Sequence, residues 1–410
     1  MFSTIPANVR QYMLVTFNYW NFTVTDGALR MLVVLYFHQL GYSPLEIASL
    51  FLFYEFFGVI TNLIGGWLGA KLGLNRTMNI GLALQIIALS MLAVPTDMLT
   101  VIWVMLAQAI SGIAKDLNKM SAKSAIKTLV PSGEQGALYK WIAILTGSKN
   151  ALKGAGFFLG GFLLSWLGFS GAVIAMAGVL LAVFILSLCY LKGDLGKAKQ
   201  KVKFSQIFSK SPSVNILSAA RMFLFGARDV WFVIALPIYL GQVFGWDHLW
   251  VGGFLALWII GYGIVQTLAP KVTGKAQGKT PDGRAATGWA GLLATVTALI
   301  ALLVTFNLSP QITIVLGLMI FGAIFAVNSS LHSYLIVSYA KEDGVSLDVG
   351  FYYMANAMGR LMGTLLSGWV YQTQGFVVCL WVSVVFLVLT TIISVWLPKQ
   401  SVSTSHTSIS

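Results

Sequence analysis

The sequence predicts an all-α integral membrane protein of twelve transmembrane helices arranged as two six-helix pseudo-repeats, and three observations carry that expectation. Over 410 residues the chain is 57% hydrophobic and 10% charged, with a mean hydropathy of +0.82, far outside the soluble range. Apolar runs of the ~20 residues a spanning helix needs recur twelve times. A glycine-rich stretch in the first half matches one in the second at a constant offset.

The runs give spans at 11–39, 45–70, 76–95, 98–120, 138–164, 168–191, 214–240, 248–271, 286–306, 310–338, 349–372 and 375–397. The first is too long for a signal h-region and no small-residue cleavage site follows it, so it reads as a span. Residues 192–213 (KGDLGKAKQKVKFSQIFSKSPS) form a basic linker between an N-terminal bundle, 1–191, and a C-terminal bundle, 214–397. The polar end, 398–410, reads as an unstructured tail.

Orientation follows from 18 of the cations, which lie between the spans or at their ends. Arg10, Lys71, Arg76, Lys123, Lys127, Lys140, the cluster Lys192 to Lys210, Lys271, Lys275, Lys279, Arg284, Lys341 and Lys399 flank or fill alternate connections. The connections around Gly41, Pro95, Ser165, Gly245, Ser309 and Gln374 hold no Lys or Arg. The positive-inside rule then places both termini in the cytoplasm. A basic face against anionic lipid accounts for most of the formal charge of +13, so no nucleic-acid partner is needed.

The internal match pairs Lys153 with Arg360, Gly156 with Gly363, Gly161 with Gly368, Gly168 with Gly375 and Phe169 with Phe376. Two parallel six-helix repeats facing a midplane site resemble the major facilitator superfamily. Gly66 to Arg76 (GWLGAKLGLNR) is similar to its cytoplasmic-loop signature, with Ala70 where that signature carries Asp. Gly147, Gly156 and Gly160 match the glycine spacing of superfamily antiporters, with Gly161 in place of the expected proline; close helix packing explains the glycines equally well. Gln108, ahead of Ser111 and Gly112, stands where many relatives carry Arg, and a charge follows two turns later at Lys115.

Ionised side chains within a bilayer are expensive, roughly 2.5–3.5 kcal/mol each on insertion scales, so those inside the spans point to function. They are Asp26 and Arg30 on the first span, Glu55 on the second, Lys115, Asp116 and Lys119 on the fourth, Lys149 and Lys153 on the fifth, Arg221, Arg228 and Asp229 on the seventh, and Arg360 on the eleventh; His332 lies on the tenth. Spans 3, 6, 9 and 12 carry none, and these are the lipid-facing helices in the superfamily that the chain resembles.

Eight cations against four carboxylates leave a positive surplus suited to a small, highly charged oxyanion, which guanidinium binds bidentately. Arg30, Lys115, Lys149, Lys153, Arg228, Arg360, Asn150 and Asn356 are the candidate substrate-binding residues. Asp26, Glu55, Asp116, Asp229 and His332 are the proton-coupling candidates, with His332 also readable as a hydrogen-bonded packing residue among Asn328, Ser329 and Ser330. Local neutralisation is the competing reading, Asp26 with Arg30 at i, i+4 and Asp116 with Lys119 at i, i+3, with Lys119 and Arg221 snorkelling toward the cytoplasmic ends.

The stretch from Asn18 (NYWNFTVTDGALR) through Arg76, then KDLNKMSAKSAIK at 115–127 and GSKNALKGAGFFLGG at 147–161, resembles the organoarsenical exporters of the ArsJ family over essentially the whole chain. That resemblance implies export of 1-arseno-3-phosphoglycerate, made from arsenate by glyceraldehyde-3-phosphate dehydrogenase as functional partner. A monomer in a bacterial inner membrane is expected. Cys189 and Cys379 are single residues on spans 6 and 12, read as lipid-facing, so a soft thiolate site for trivalent arsenic is not expected.

An organophosphate/phosphate exchanger would use the same basic cavity, and a receptor without transport is a further alternative. A multidrug exporter of cations would need the opposite charge. No catalytic, metal or cofactor motif appears: HExxH and GxSxG are absent, and Gly274 to Thr280 (GKAQGKT) is one residue short of a phosphate loop and lacks its strand-to-helix setting.

Overall fold

The computed structural model describes residues 7–42, 44–131, 133–191, 195–198, 211–246, 248–273 and 280–399. Nearly all of the predicted linker, the GKAQGKT loop up to residue 279 and the tail beyond residue 399 lie outside the described residues. Every regular element among those described is helical.

The first half comprises α1 (Ala7–Gln39), α2 (Pro44–Leu50), α3 (Leu52–Leu72), α4 (Leu74–Leu92), α5 (Val101–Leu129) and α6 (Gln135–Tyr190). The second comprises α7 (Pro212–Phe232), α8 (Ala235–Phe244), α9 (His248–Thr273), α10 (Gly283–Thr305), α11 (Pro310–Tyr339), α12 (Val345–Gln374) and α13 (Phe376–Ser394). Twelve membrane crossings result, because α2 with α3 and α7 with α8 each make one broken crossing. The 56-residue α6 makes two, divided at Gly168. Helix starts follow local chemistry: Thr100 and Asp282 cap α5 and α10 with side-chain oxygens, and Pro212 and Pro310 occupy first turns where no N–H is needed.

Six of the described helices are long and apolar enough to cross a membrane on length and composition alone. The other long helices, α1, α3, α4, α5 and α12, are diluted by polar and charged groups such as Asn75, Gln85 and Asp116 that they bury. The outer surface is apolar instead. Trp166, Trp250, Phe306 and Trp369 are each at least 66% exposed, at the ends of crossings remote from the basic connections, where an aromatic belt meets the lipid interface. Cys189 is exposed as expected, whereas Cys379 is buried because it lies on the face of α13 that packs into the second half's core with Leu380 and Leu387.

The internal repeat is visible in matching backbone and packing. Gly168 (φ 67°, ψ −179°) and Gly375 (φ 83°, ψ −179°) take the same turn into the last crossing of each half. The residues after them stack alike, Phe169 on Tyr36 at 4.2 Å and Phe376 on Tyr239 at 4.5 Å between ring centroids. α1 packs along α6 as α7 packs along α12. A Cβ on Gly156 would sit 2.5 Å from the Val24 carbonyl, and one on Gly363 would sit 2.7 Å from the Gly226 carbonyl. The antiporter-like glycine spacing is therefore accounted for by helix approach; Gly147 does the same against α9.

Candidate functional site

The four predicted carboxylates each meet cations, only one of them in the pair that sequence spacing favours. Glu55 on α3 accepts from Arg30 Nη2 at 3.1 Å and from Arg360 Nη2 at 2.9 Å. Asp229 on α7 accepts from Arg228 and, at 3.3 Å, from Arg360 Nε. Asp26 on α1 takes the Tyr54 hydroxyl at 2.7 Å and faces Lys153 Nζ at 3.7 Å. Asp116 on α5 lies between Lys119 and Lys115. Of the two local pairs in the competing reading, Asp26–Arg30 is replaced by partners on other helices, whereas Asp116–Lys119 forms as spaced.

The repeat extends to this chemistry. Lys153 and Arg360, which match in register, each face the carboxylate of the first helix of their own half, Asp26 and Asp229 respectively. Arg360 alone adds a bond across to α3. Aromatic faces supply further stabilisation for cations away from water. Tyr54 lies under Lys115 Nζ at 3.8 Å and beside Arg30 at 4.9 Å, and Phe225 carries Arg221 at 3.8 Å and Arg228 at 4.9 Å.

Three cations in this group face no carboxylate. Lys149 makes no hydrogen bond or ion pair among the described residues and is only half-buried. Arg221 donates from Nε to Asn356 Oδ1 at 2.8 Å and from Nη1 to the Ser329 carbonyl at 3.3 Å. Lys123 donates to Thr146 Oγ1 at 2.7 Å and to Ser333 Oγ at 3.3 Å. Lys119 and Arg221 do not snorkel, since Lys119 lies over the Tyr353 ring at 4.5 Å and Arg221 is buried. Lys123, expected in a cytoplasmic connection, is also buried, because α5 continues to Leu129 and carries it into the interface. Lys115, Lys119, Lys123 and Lys127 recur every fourth residue on one helix; that spacing is the signal from which Lys123 could have been placed in the site.

Of the remaining candidates, Asn150 is taken up in a bond across the halves to Gln266, and Asn356 holds Arg221. His332 is fully buried, and neither ring nitrogen is hydrogen-bonded, so the expected bonds to its polar neighbours are not made. Tyr54 and Tyr353, absent from the predicted set, are the aromatic floor on which the lysines rest.

Exposure of the cluster falls toward the basic connections. Arg360 and Arg30 side chains are 30% and 27% exposed, those of Lys153, Arg228, Lys115 and Lys119 14–18%, while Lys123 and Arg221 are 3% exposed. The basic end is closed by contacts between halves. Lys127 Nζ donates to the carbonyls of Val337, Ser338 and Ala340 at the C-terminus of α11, where unpaired carbonyls and the helix dipole favour a cation. Gln135 accepts from Tyr334 and Ser338, and Ser346 donates to the Gly66 carbonyl at 2.8 Å. Gly66 is required there, since a Cβ would collide with the Ser346 carbonyl. At Ala70 no carboxylate is available for a charged gate, and the lysine on α5 holds this end instead.

A sequence model of the Major Facilitator Superfamily matches residues 12–346. The chain belongs to the major facilitator superfamily. Its fold is that of the superfamily's solved transporters. A bacterial homologue of the iron transporter ferroportin in an outward-facing state superposes with a TM-score of 0.75 at 12% identity, covering 94% of this chain and 98% of that one. The human organic anion transporter MFSD10 (TETRAN) gives 0.75 at 15% identity, covering 95% and 100%. The Escherichia coli fucose:proton symporter FucP gives 0.74 at 11% identity, covering 97% and 100%. No curated protein matches the sequence significantly. As a superfamily member the chain is an integral membrane transport protein.

Proposed function

We propose that this chain exports a small polyanionic organic oxyanion ester by alternating access, with 1-arseno-3-phosphoglycerate as cargo and arsenate resistance as the outcome. One observation carries the reading: nine cations (the eight intramembrane residues and Lys123) share an interior with four carboxylates, and all four carboxylates are already engaged. Such a site repels cations and gains most from a ligand with several negative oxygens. The resemblance to organoarsenical exporters supplies the ester and its source, glyceraldehyde-3-phosphate dehydrogenase acting on arsenate. The organic anion named for MFSD10 agrees in sign.

With the basic end cytoplasmic in a bacterial inner membrane, the cell interior being negative, each exported negative charge gains roughly 2.3 kcal/mol per 100 mV. Export of a multiply charged ester therefore proceeds without an obligatory coupling ion. Arg30, Arg228, Arg360, Lys149 and Lys153 make the direct contacts at the centre, and Lys115 and Asn356 lie along the route to it.

The test uses everted membrane vesicles supplied with the dehydrogenase, glyceraldehyde 3-phosphate with its oxidant, and arsenate. Arsenic accumulates inside only when all are present. Accumulation with arsenate alone sinks the ester as cargo. Strict exchange of sugar phosphate for inorganic phosphate would assign the chain to organophosphate exchange, and saturable binding without flux would make it a receptor.

A further inference from the structure

The geometry points to a second anion subsite, built on Lys123 and Arg221, that receives the negatively charged substrate from the basic end before it reaches the Arg30–Arg360 network. The inference rests on the proposed anion export for direction, but its binding test does not.

The two cations differ from those of the central network in what surrounds them. Each central arginine meets a carboxylate; Lys123 and Arg221 meet only neutral groups, the hydroxyls of Thr146 and Ser333, the Asn356 amide and one backbone carbonyl. They flank a pair of rings: Lys123 lies 5.3 Å from the Tyr353 centroid, Arg221 lies 5.3 Å from that of Tyr352, and the two rings are 5.0 Å apart. A buried pair of cations without a counter-ion is unfavourable, since charge taken out of water must be offset by opposite charge and hydrogen bonds. Donors remain for a ligand, because Lys carries three and Arg five, and the protein uses two of each in the bonds above.

Position gives the subsite its direction. Lys123 lies one turn from Lys119 and one turn from Lys127 on α5, steps of about 6 Å each along the helix. Lys127 holds the basic end shut on the α11 carbonyls. When that contact opens, Lys123 and Arg221 are the first buried cations reached. An anion seated on them is then passed upward to Lys119, Lys115 and the arginines, where entering solvent from the far side competes for it. Burial to 3% exposure in the closed state keeps the subsite from rebinding anions from that far side.

The test measures binding of 3-phosphoglycerate, a stable phosphate-carboxylate probe, to purified full-length protein by ligand-induced thermal shift. Lys127→Ala opens the basic end, and Lys123→Gln or Arg221→Gln is added to it. Binding to Lys127→Ala is expected to weaken about tenfold or more with either added change, the usual loss for a charged hydrogen-bond donor, and Lys123→Arg is expected to restore it. In right-side-out vesicles, binding of the probe from the outer face is expected to stay within about twofold for Lys123→Gln, because the closed state buries that lysine. Unchanged binding in the opened protein, or an equal loss from both faces, overturns the subsite. Intact Lys123-dependent binding in a wild-type protein that exports no organic anion would defeat the proposed function and leave the subsite standing.

Discussion

Arg360 on α12 and Glu55 on α3 join the two halves at the membrane centre through a 2.9 Å ion pair. The same guanidinium is held from its own half by Asp229, and the same carboxylate is held from its own half by Arg30. Four charges thus form a chain, Arg30–Glu55–Arg360–Asp229, that crosses the interface once. Rocking of the halves must lengthen that one crossing. Under the proposed anion export, a polyanion would replace Glu55 as the partner of both arginines, so substrate binding and release of the central clasp would be the same event.

Glu55→Gln is therefore expected to separate stability from binding. Two guanidiniums lose their shared counter-ion, and the fold should lose about 2 kcal/mol, below the 3–5 kcal/mol typical of a fully buried pair because these side chains are 24–30% exposed. Binding of 3-phosphoglycerate should tighten, since an internal competitor has gone. Thermal unfolding and isothermal titration on the same preparation check both. Weaker binding together with lower stability would mean that Glu55 only positions its arginines.

The Lys127 contact gives a measurable closed-state bias. Removing a charged donor from three carbonyls forfeits about 1.5–3 kcal/mol, so Lys127→Met should raise the population open at the basic end by about tenfold or more. With Ser338→Cys as reporter, the reaction rate of a membrane-impermeant maleimide applied to everted vesicles should rise by that factor. An unchanged rate would show that the Gln135 and Ser346 contacts, with the close approach at Gly66, hold this end shut without Lys127.

The fold is legible in the sequence because its signals are one-dimensional. Apolar length gives the crossings, and the five-residue match at constant offset gives the repeat, down to Gly168 and Gly375 adopting one backbone conformation. Charge placement gives the membership of the charged cluster for the same reason: within the described crossings its residues lie on faces turned toward one another. Pairing is legible only where it is local, as for Asp116 with Lys119; pairing between helices is not. Asp26 and Arg30 are one turn apart, yet Asp26 turns to Tyr54 and Lys153 and Arg30 to Glu55; close packing of α1 on α6 at Gly27, Gly156 and Gly160 brings Lys153 to Asp26, and neither α6 nor α3 can be matched to α1 from spacing along one helix. Lys123 escapes the sequence reading because a bilayer-length criterion ends the fourth crossing before α5 itself ends.

The two repeat-related turns supply a paired prediction. At Gly168 and Gly375 a Cβ would have no neighbour within 4 Å, so alanine there meets only the backbone penalty of positive φ with ψ near 180°, about 1–3 kcal/mol. Gly168→Ala and Gly375→Ala should destabilise to similar extents in thermal unfolding. Unequal losses would mean that the turns are not equivalent in the folded protein.

Gly359 and Gly161 should behave oppositely although both lie on helices with glycine-rich faces. A Cβ on Gly359 would collide with the Met222 carbonyl, backbone that cannot yield, whereas one on Gly161 would rest 3.6 Å from Leu35 Cδ1 in ordinary contact. Gly359→Ala must push α12 off α7, a strain of about 1–3 kcal/mol, and it would carry Arg360 away from both Asp229 and Glu55. Gly161→Ala should be neutral or slightly stabilising, since alanine is favoured over glycine in a helix by up to about 1 kcal/mol. Unfolding temperature and anion affinity measured together separate the two, with Gly359→Ala losing both and Gly161→Ala losing neither. Equal tolerance at the two sites would mean that α7 and α12 stand far enough apart to admit a methyl group between them, and the Arg360 clasp would need another origin.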